Sequence, residues 1–290
     1  MDGERGDVGG RDDAADRQGR PQLGAPRVEL VRRQTRAEWA ADPVGVYLDA
    51  LTNGDVHALQ NAWPGEVVVY DPRAGEVRGH RRLRQFVHRN QEWLAERQAH
   101  TEQVATTLSD GRAVVELLAQ LSDGGRETVW PVAVVAESPD DRSVVFRTYC
   151  SQLPVDHRRH VRPPILPPAD AHPGDVVERY LAALRAGDTD AVVGTFAADG
   201  YVREPVEARA HRGADALRAY FEGCFSAGGG VHLQQCAITD DGTRCVLEYN
   251  CVRWGRTPVT PQAGLGVFER GPDGLLAAAR LYDDIEAPPP

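Results

Sequence analysis

The sequence states one theme twice. Val-Gly-Val-Tyr-Leu-Asp-Ala-Leu-Thr-Asn-Gly-Asp at 44–55 returns as Val-Glu-Arg-Tyr-Leu-Ala-Ala-Leu-Arg-Ala-Gly-Asp at 177–188. The register then persists: Tyr180 minus Tyr47, Glu204 minus Asp71 and Tyr282 minus Tyr149 each give 133. An offset held from one end of a copy to the other marks a duplicated domain, because chance likeness loses register at the first loop. The period is too long for a solenoid, so each copy has to enclose a core of its own. A chain of 290 residues is therefore two domains.

Charge narrows the partners. With 33 basic against 43 acidic side chains the net charge is −10. That is the wrong sign for a phosphate backbone, so no nucleic-acid partner is expected. The first residues lack a basic start followed by an apolar run, and the longest apolar stretch, Val129 to Ala136, is too short to span a bilayer. The expectation is a cytoplasmic chain without membrane contact, whose partner is a small molecule or a protein. Cys150, Cys224, Cys236, Cys245 and Cys251 include no Cys-x-x-Cys pair and lie mostly in one copy, and they are expected as reduced thiols.

Residues 1–36 are rich in Gly, Asp and Arg with little to bury, and read as a disordered tail. Domain 1 is expected over 37–153 and domain 2 over 172–286, with a short tail at 287–290. Between them the linker 154–171 carries Pro154, Pro163, Pro164, Pro167 and Pro168, which favour an extended, semi-rigid connection. Asp156, His157 and His160 share that linker, but a proline-bounded segment with no third ligand nearby reads as solvated or interfacial rather than as a metal site.

Within each copy the periods change in the same order. Val44, Tyr47, Leu48, Leu51 and Val177, Tyr180, Leu181, Leu184 fall at i, i+3, i+4 and i+7, an amphipathic helix that Gly54 or Gly187 closes. A second short helix is expected through Trp63 and through Phe196, then a strand at 67–70 and at 201–202. A third helix follows, marked by Leu83, Phe86 and Val87 and by Leu217, Tyr220, Phe221 and Cys224. The remainder is β-branched and broken at turns such as Ser109-Asp-Gly and Asp240-Asp-Gly. Helices followed by consecutive antiparallel strands give an α+β fold: two tandem cone-shaped domains, each a curved, mostly antiparallel sheet wrapped by three helices.

This order resembles the nuclear transport factor 2 superfamily, which includes the SnoaL-like polyketide cyclases, ketosteroid isomerases and polyether epoxide hydrolases. Phe196-Ala-Ala-Asp, Glu204-Pro205 and Arg212-Gly213 carry the resemblance in the second copy, and Val69-Tyr70-Asp71-Pro72 and Arg78-Gly79 in the first. It covers residues 40–153 and 172–286. It implies a cofactor-independent acid-base enzyme of isomerase, cyclase or epoxide hydrolase type, acting on a small hydrophobic oxygenated metabolite such as a polyketide, with neither cofactor nor metal. The competing expectation is a non-catalytic ligand-binding or assembly protein. Members of this fold commonly pair sheet to sheet, so a tandem chain is expected to satisfy that contact internally as a pseudo-dimer.

By the same resemblance Asp71 and Glu204 take the place of the isomerase's general base, and Tyr47 and Tyr180 that of the tyrosine that donates to a developing enolate. A carboxylate in an apolar cone gains basicity, and a phenol donates without adding charge. The plainer reading makes Asp71 and Glu204 turn acids before a proline, and the tyrosines core residues. The isomerase's second, protonated aspartate is missing: Leu265 stands there in the second copy and Val132 or a neighbour in the first, so steroid isomerisation is not expected. A tandem enzyme among the polyether epoxide hydrolases also joins two such domains, and its sites pair an aspartate with a second acid. In the first copy His100 and Glu102 share a strand face and are expected beside Asp71. In the second, His232 is expected beside Glu204 while Gln234 replaces the acid, so the first copy is the expected acid-base site. The plainer reading of both histidines is solvent-facing. Asp283 and Asp284 either line the mouth of the second cone or are exposed tail acids.

Overall fold

The first copy announces its first helix with a side-chain cap. The computed structural model describes residues 42–109, 111–206 and 208–285; the tails expected at 1–36 and 287–290 lie outside them. Ahead of α1 (Pro43–Asn53), Asp42 accepts from the Gly45 amide at 2.8 Å, and Gly54 ends the helix at φ 72°, a left-handed cap that costs glycine little. Asp55 caps α2 (Val56–Ala62) by accepting from the His57 and Ala58 amides at 3.0 and 3.1 Å. The hairpin β1 (Val67–Asp71) and β2 (Gly75–Arg78), the helix α3 (His80–Glu96), and β3 (His100–Ser109), β4 (Arg112–Asp123), β5 (Arg126–Glu137) and β6 (Val144–Tyr149) complete the first domain.

After α4 (Leu153–Asp156) the second domain repeats the order: α5 (Asp175–Ala186), α6 (Thr189–Val193), β7 (Phe196–Arg203), β8 (Ala210–Arg212), α7 (Ala214–Cys224), β9 (Val231–Asp240), β10 (Arg244–Trp254), β11 (Thr257–Arg270) and β12 (Leu276–Tyr282). The sheets run β2-β1-β6-β5-β4-β3 and β8-β7-β12-β11-β10-β9. Among the described residues only the β1–β6 and β7–β12 pairs, which join the first strand of each copy to its last, are parallel. The α+β architecture is as the sequence implied. Two details differ. Short strands β2 and β8 turn the first strand of each copy into a hairpin, and Phe196 begins β7 instead of ending a helix, because it pairs with Leu276.

The inner strands are buried on both faces. Along β4, Val115, Leu117, Ala119 and Leu121 face the helices of their own cone, while Val114 packs with Ala133, Val135 and Tyr149 against Val246, Ala263, Leu265, Val267 and Tyr282 of the other domain. Period-two alternation thus serves two cores, which is why these strands read as continuous apolar runs.

Two ion pairs flank that shared core. Arg147 donates to Glu248 at 2.6 and 2.8 Å and Tyr149 to the same carboxylate at 2.7 Å; Arg280 donates to Glu116 at 2.6 and 2.8 Å and Tyr282 to it at 2.7 Å. The same residue types in swapped domains give the contact the form of an isologous interface. The linker lies against both domains: Arg162 donates to the carbonyls of Thr148 and Tyr70, and its own carbonyl accepts from Ala263 at 2.9 Å. No helix among the described residues is long and apolar enough to cross a membrane.

Candidate active site

In the second domain the cone holds a cavity of about 210 Å³, walled by the rings of Tyr180, Tyr220, Phe221, Tyr249, Trp254 and Phe268. Glu204, Asp283 and, from the linker, Arg159 bring charge to this apolar wall. Glu204 follows β7, with its amide donating to the Arg209 carbonyl at 2.9 Å. Nε2 of His211, on β8, donates to its Oε1, and the Tyr220 ring lies against the imidazole at 4.6 Å. The pair is sheltered without being sealed, at 29% exposure for Glu204 and 14% for His211.

Asp283 leaves β12 and turns inward. Its Oδ2 accepts the Tyr249 hydroxyl at 2.5 Å and its Oδ1 the Ile285 amide at 3.1 Å. Gly264 makes the room, since a Cβ there would stand 2.5 Å from the Tyr249 ring and 2.9 Å from Asp283 Oδ2. Burial, the largest cause, pushes the Asp283 carboxyl up to about 6, against the pull of the Tyr249 and Ile285 hydrogen bonds. Burial and then Asp283 hold the Tyr249 phenol far above its ordinary value, so it remains a donor.

The first cone is larger, about 500 Å³, and differently equipped. Asp71 lines it, but its Oδ1 accepts from the Arg73 and Ala74 amides at 2.9 and 2.8 Å, so the carboxylate is committed to the β1–β2 turn. The Arg73 guanidinium stacks on Trp93 at 3.9 Å and donates to Asn90 at 2.8 Å. The Tyr47 hydroxyl is buried without a hydrogen-bond partner, and burial first, then Asp71, holds it protonated. At the place of Asp283 stands Cys150, 133 residues earlier, its thiol pushed up by burial and then by Asp71. At the place of Tyr249 stands Leu117, 132 residues earlier.

Three sequence expectations need correction here. His100 reaches the rim of the first cavity, but Glu102 is exposed and is not among the residues lining it, because the first half of β3 is an uncovered sheet edge. The trio of Asp71, His100 and Glu102 is therefore not assembled. His232 is not in the cavity of Glu204 and Tyr180. It pairs with Arg253 beside a bulge in β10 and joins an outer groove with Arg185, where burial and then these two arginines lower its pKa. Leu265, read as the residue replacing a catalytic acid, faces the other domain, and the glycines beside it face its own cone.

The sequence reading missed His211 and Tyr220 as site residues and gave Asp283 no firm role. The constant offset held the signal for Asp283: it follows Tyr282 as Cys150 follows Tyr149, and so leaves a core strand rather than a tail.

The SnoaL-like domain family matches residues 44–146 and again residues 177–279. Among solved structures, a Sinorhizobium meliloti protein provisionally named a polyketide cyclase is 27% identical, covering 37% of this chain and 94% of its own, with a TM-score of 0.32. An epoxide hydrolase/cyclase-like enzyme of pyran ring formation in the polyether salinomycin is 22% identical over 37% of this chain and 86% of its own, TM-score 0.32. A Catenulispora acidiphila protein with a ketosteroid isomerase-like fold, in complex with trimethylamine, is 17% identical over 40% and 88%, TM-score 0.33.

Proposed function

We propose, for a chain that belongs to the SnoaL-like domain family over both matched stretches, that the second domain is a cofactor-independent acid-base catalyst for a small, largely apolar, oxygenated metabolite such as a polyketide. One observation carries the reading: Glu204 and Asp283 line the same cavity in unlike settings, one bonded to an imidazole at the rim and one buried against a phenol. Two carboxyls in such unlike settings are what paired acid and base chemistry requires.

For a hydroxy-epoxide the steps balance. Glu204 takes the proton of the attacking hydroxyl or water as its oxygen bonds to the epoxide carbon. The epoxide C–O bond breaks, and Asp283 gives its proton to the departing oxygen. Glu204 ends protonated and Asp283 ionised, and exchange with water restores both. The Tyr249 bond to Asp283 stabilises the carboxylate formed, and His211 orients Glu204. The aromatic wall orients the carbon skeleton and excludes bulk water. The first domain is the binding or assembly half, because Asp71 is spent on a turn and Cys150 replaces the acid. The two domains act as an internal pseudo-dimer through the swapped ion pairs.

The test is conversion of a short-chain hydroxy-epoxide to cyclic ether or diol, followed by mass spectrometry. Wild-type protein and D71N should convert it alike, and E204Q and D283N should fall to the buffer rate. Conversion by E204Q or D283N equal to wild type overturns the reading.

A further inference from the structure

We infer that the acid of the second domain is positioned by the rest of the chain: Arg159 of the linker and Ser151 and Gln152 of the first domain fix the segment 283–285 and through it Asp283. The inference rests on the reading of Asp283 as the acid. β12 ends at Tyr282, so no ladder holds the residues that follow. Their anchors come from elsewhere. Asp284 accepts from the Ser151 hydroxyl at 2.5 Å, the Gln152 amide at 2.8 Å and the His160 amide at 3.0 Å. Three donors, two from the first domain and one from the linker, thus converge on one carboxylate that is only 7% exposed.

Asp283 stands at a bend closed by the Ile285 amide on its own carboxylate, so pinning the next residue, Asp284, toward the first domain fixes the direction in which that bend turns Asp283 into the cone. The next link is Ile285, whose amide donates to Asp283 at 3.1 Å while its carbonyl accepts from Arg159 at 3.3 Å. Arg159 also lines the cavity, and its charge favours the ionised form of Asp283. Ser151 and Asp284 are the same position of the repeat, 133 residues apart, so each domain's exit from its last strand grips the other's. A second domain without its partner lacks these anchors, and duplication has become part of the site.

Among the described residues the ionisable groups around Asp283 are Tyr249 and Cys251 of β10, Tyr180 of α5, Tyr220 of α7, Glu204 and Arg159 in the same cavity, the neighbouring Asp284, and His160 and Arg162, which line an adjoining cavity with it. Both arginines lie in the linker, outside the second domain, and Arg159 is the one whose charge acts on Asp283. The test uses the full chain without substrate and follows the Asp283 carboxyl carbon by nuclear magnetic resonance across a pH titration. R159M keeps the apolar stem and removes the charge; it should raise the Asp283 midpoint by about half a pH unit or more, while R159K keeps it near wild type. D284N replaces an acceptor facing amides by a donor and should speed exchange of the Ile285 amide about tenfold. Should D284N fail to fold, S151A, which removes one hydroxyl, should speed the same exchange. An Asp283 midpoint unmoved in R159M, or Ile285 exchange unmoved in the folded variants, overturns the inference. No turnover enters these readouts, so failure of the catalytic reading is seen separately, in the conversion assay.

Discussion

Arg147 and Glu248 meet across the domain boundary through two hydrogen bonds of 2.6 and 2.8 Å, with both side chains all but sealed from water. Such a pair costs desolvation about as large as its attraction, so its value lies in fixing how the two sheets meet. Removing one partner is another matter. R147M leaves the Glu248 carboxylate with only the Tyr149 hydroxyl and should cost about 3–5 kcal/mol, whereas R147M/E248L should recover most of that loss. Urea unfolding of the four variants of the cycle checks this, and a single variant as stable as wild type would show that the pair is solvated.

Asp283 makes stability depend on pH in a stated direction. Its carboxyl is raised from 3.8 to about 6 in the native chain, so between these values the folded state holds a proton that the unfolded state has released. Its contribution is fully present below the unfolded value and is lost as the pH rises through about 6. The loss is at most about 3 kcal/mol, since a tenfold change in proton affinity is worth about 1.4 kcal/mol. D283N is neutral throughout. Its stability relative to wild type should therefore be greater at about pH 7.5 than at about pH 4.5. A difference independent of pH would mean that the carboxyl is ordinary.

How far the sequence could be read depends on which interaction decided each feature. Helices α1 and α5 were legible because stripe and glycine cap lie close together in the chain: Val44, Tyr47 and Leu51 with Gly54, and Val177, Tyr180 and Leu184 with Gly187. The site was legible only where position in the repeat was enough, as for Glu204. Glu102 failed because period two says which residues share a face but not whether anything covers it. Leu265 failed for a related reason: β11 is buried on both faces, so a hydrophobic residue there does not say which core it enters. Asp283 depends on a glycine 19 residues earlier and on a tyrosine 34 residues earlier, contacts that no local pattern announces.

The cysteines are unpaired, and all but Cys224 are buried. Burial raises the Cys224 and Cys236 thiols to about 11 and those of Cys245 and Cys251 to about 12. At pH 8 roughly a thousandth or less of each is thiolate, the reactive form, so alkylation of the native chain should be slow. Unfolding in denaturant without reductant should release all five thiols to the reagent. A count of three would reveal a disulfide.

The sharpest expectation concerns the pH dependence of turnover. A general acid works only while it holds its proton, so kcat/KM for a hydroxy-epoxide should decline as the pH rises through about 6, where Asp283 ionises. Removing Arg159 withdraws a charge that favours ionisation, so R159M should carry that declining limb to higher pH. E204Q should lower the rate about a hundredfold or more at every pH, since it removes the base and keeps the shape. D283N should abolish the limb along with most of the rate, because an amide neither donates that proton nor titrates. D71N provides the contrast. Its carboxylate serves the Arg73 and Ala74 amides in the other domain, so its loss should lower stability and leave both rate and limb in place. A limb that persists in D283N, or a rate lost in D71N alone, would move the chemistry to the first cone.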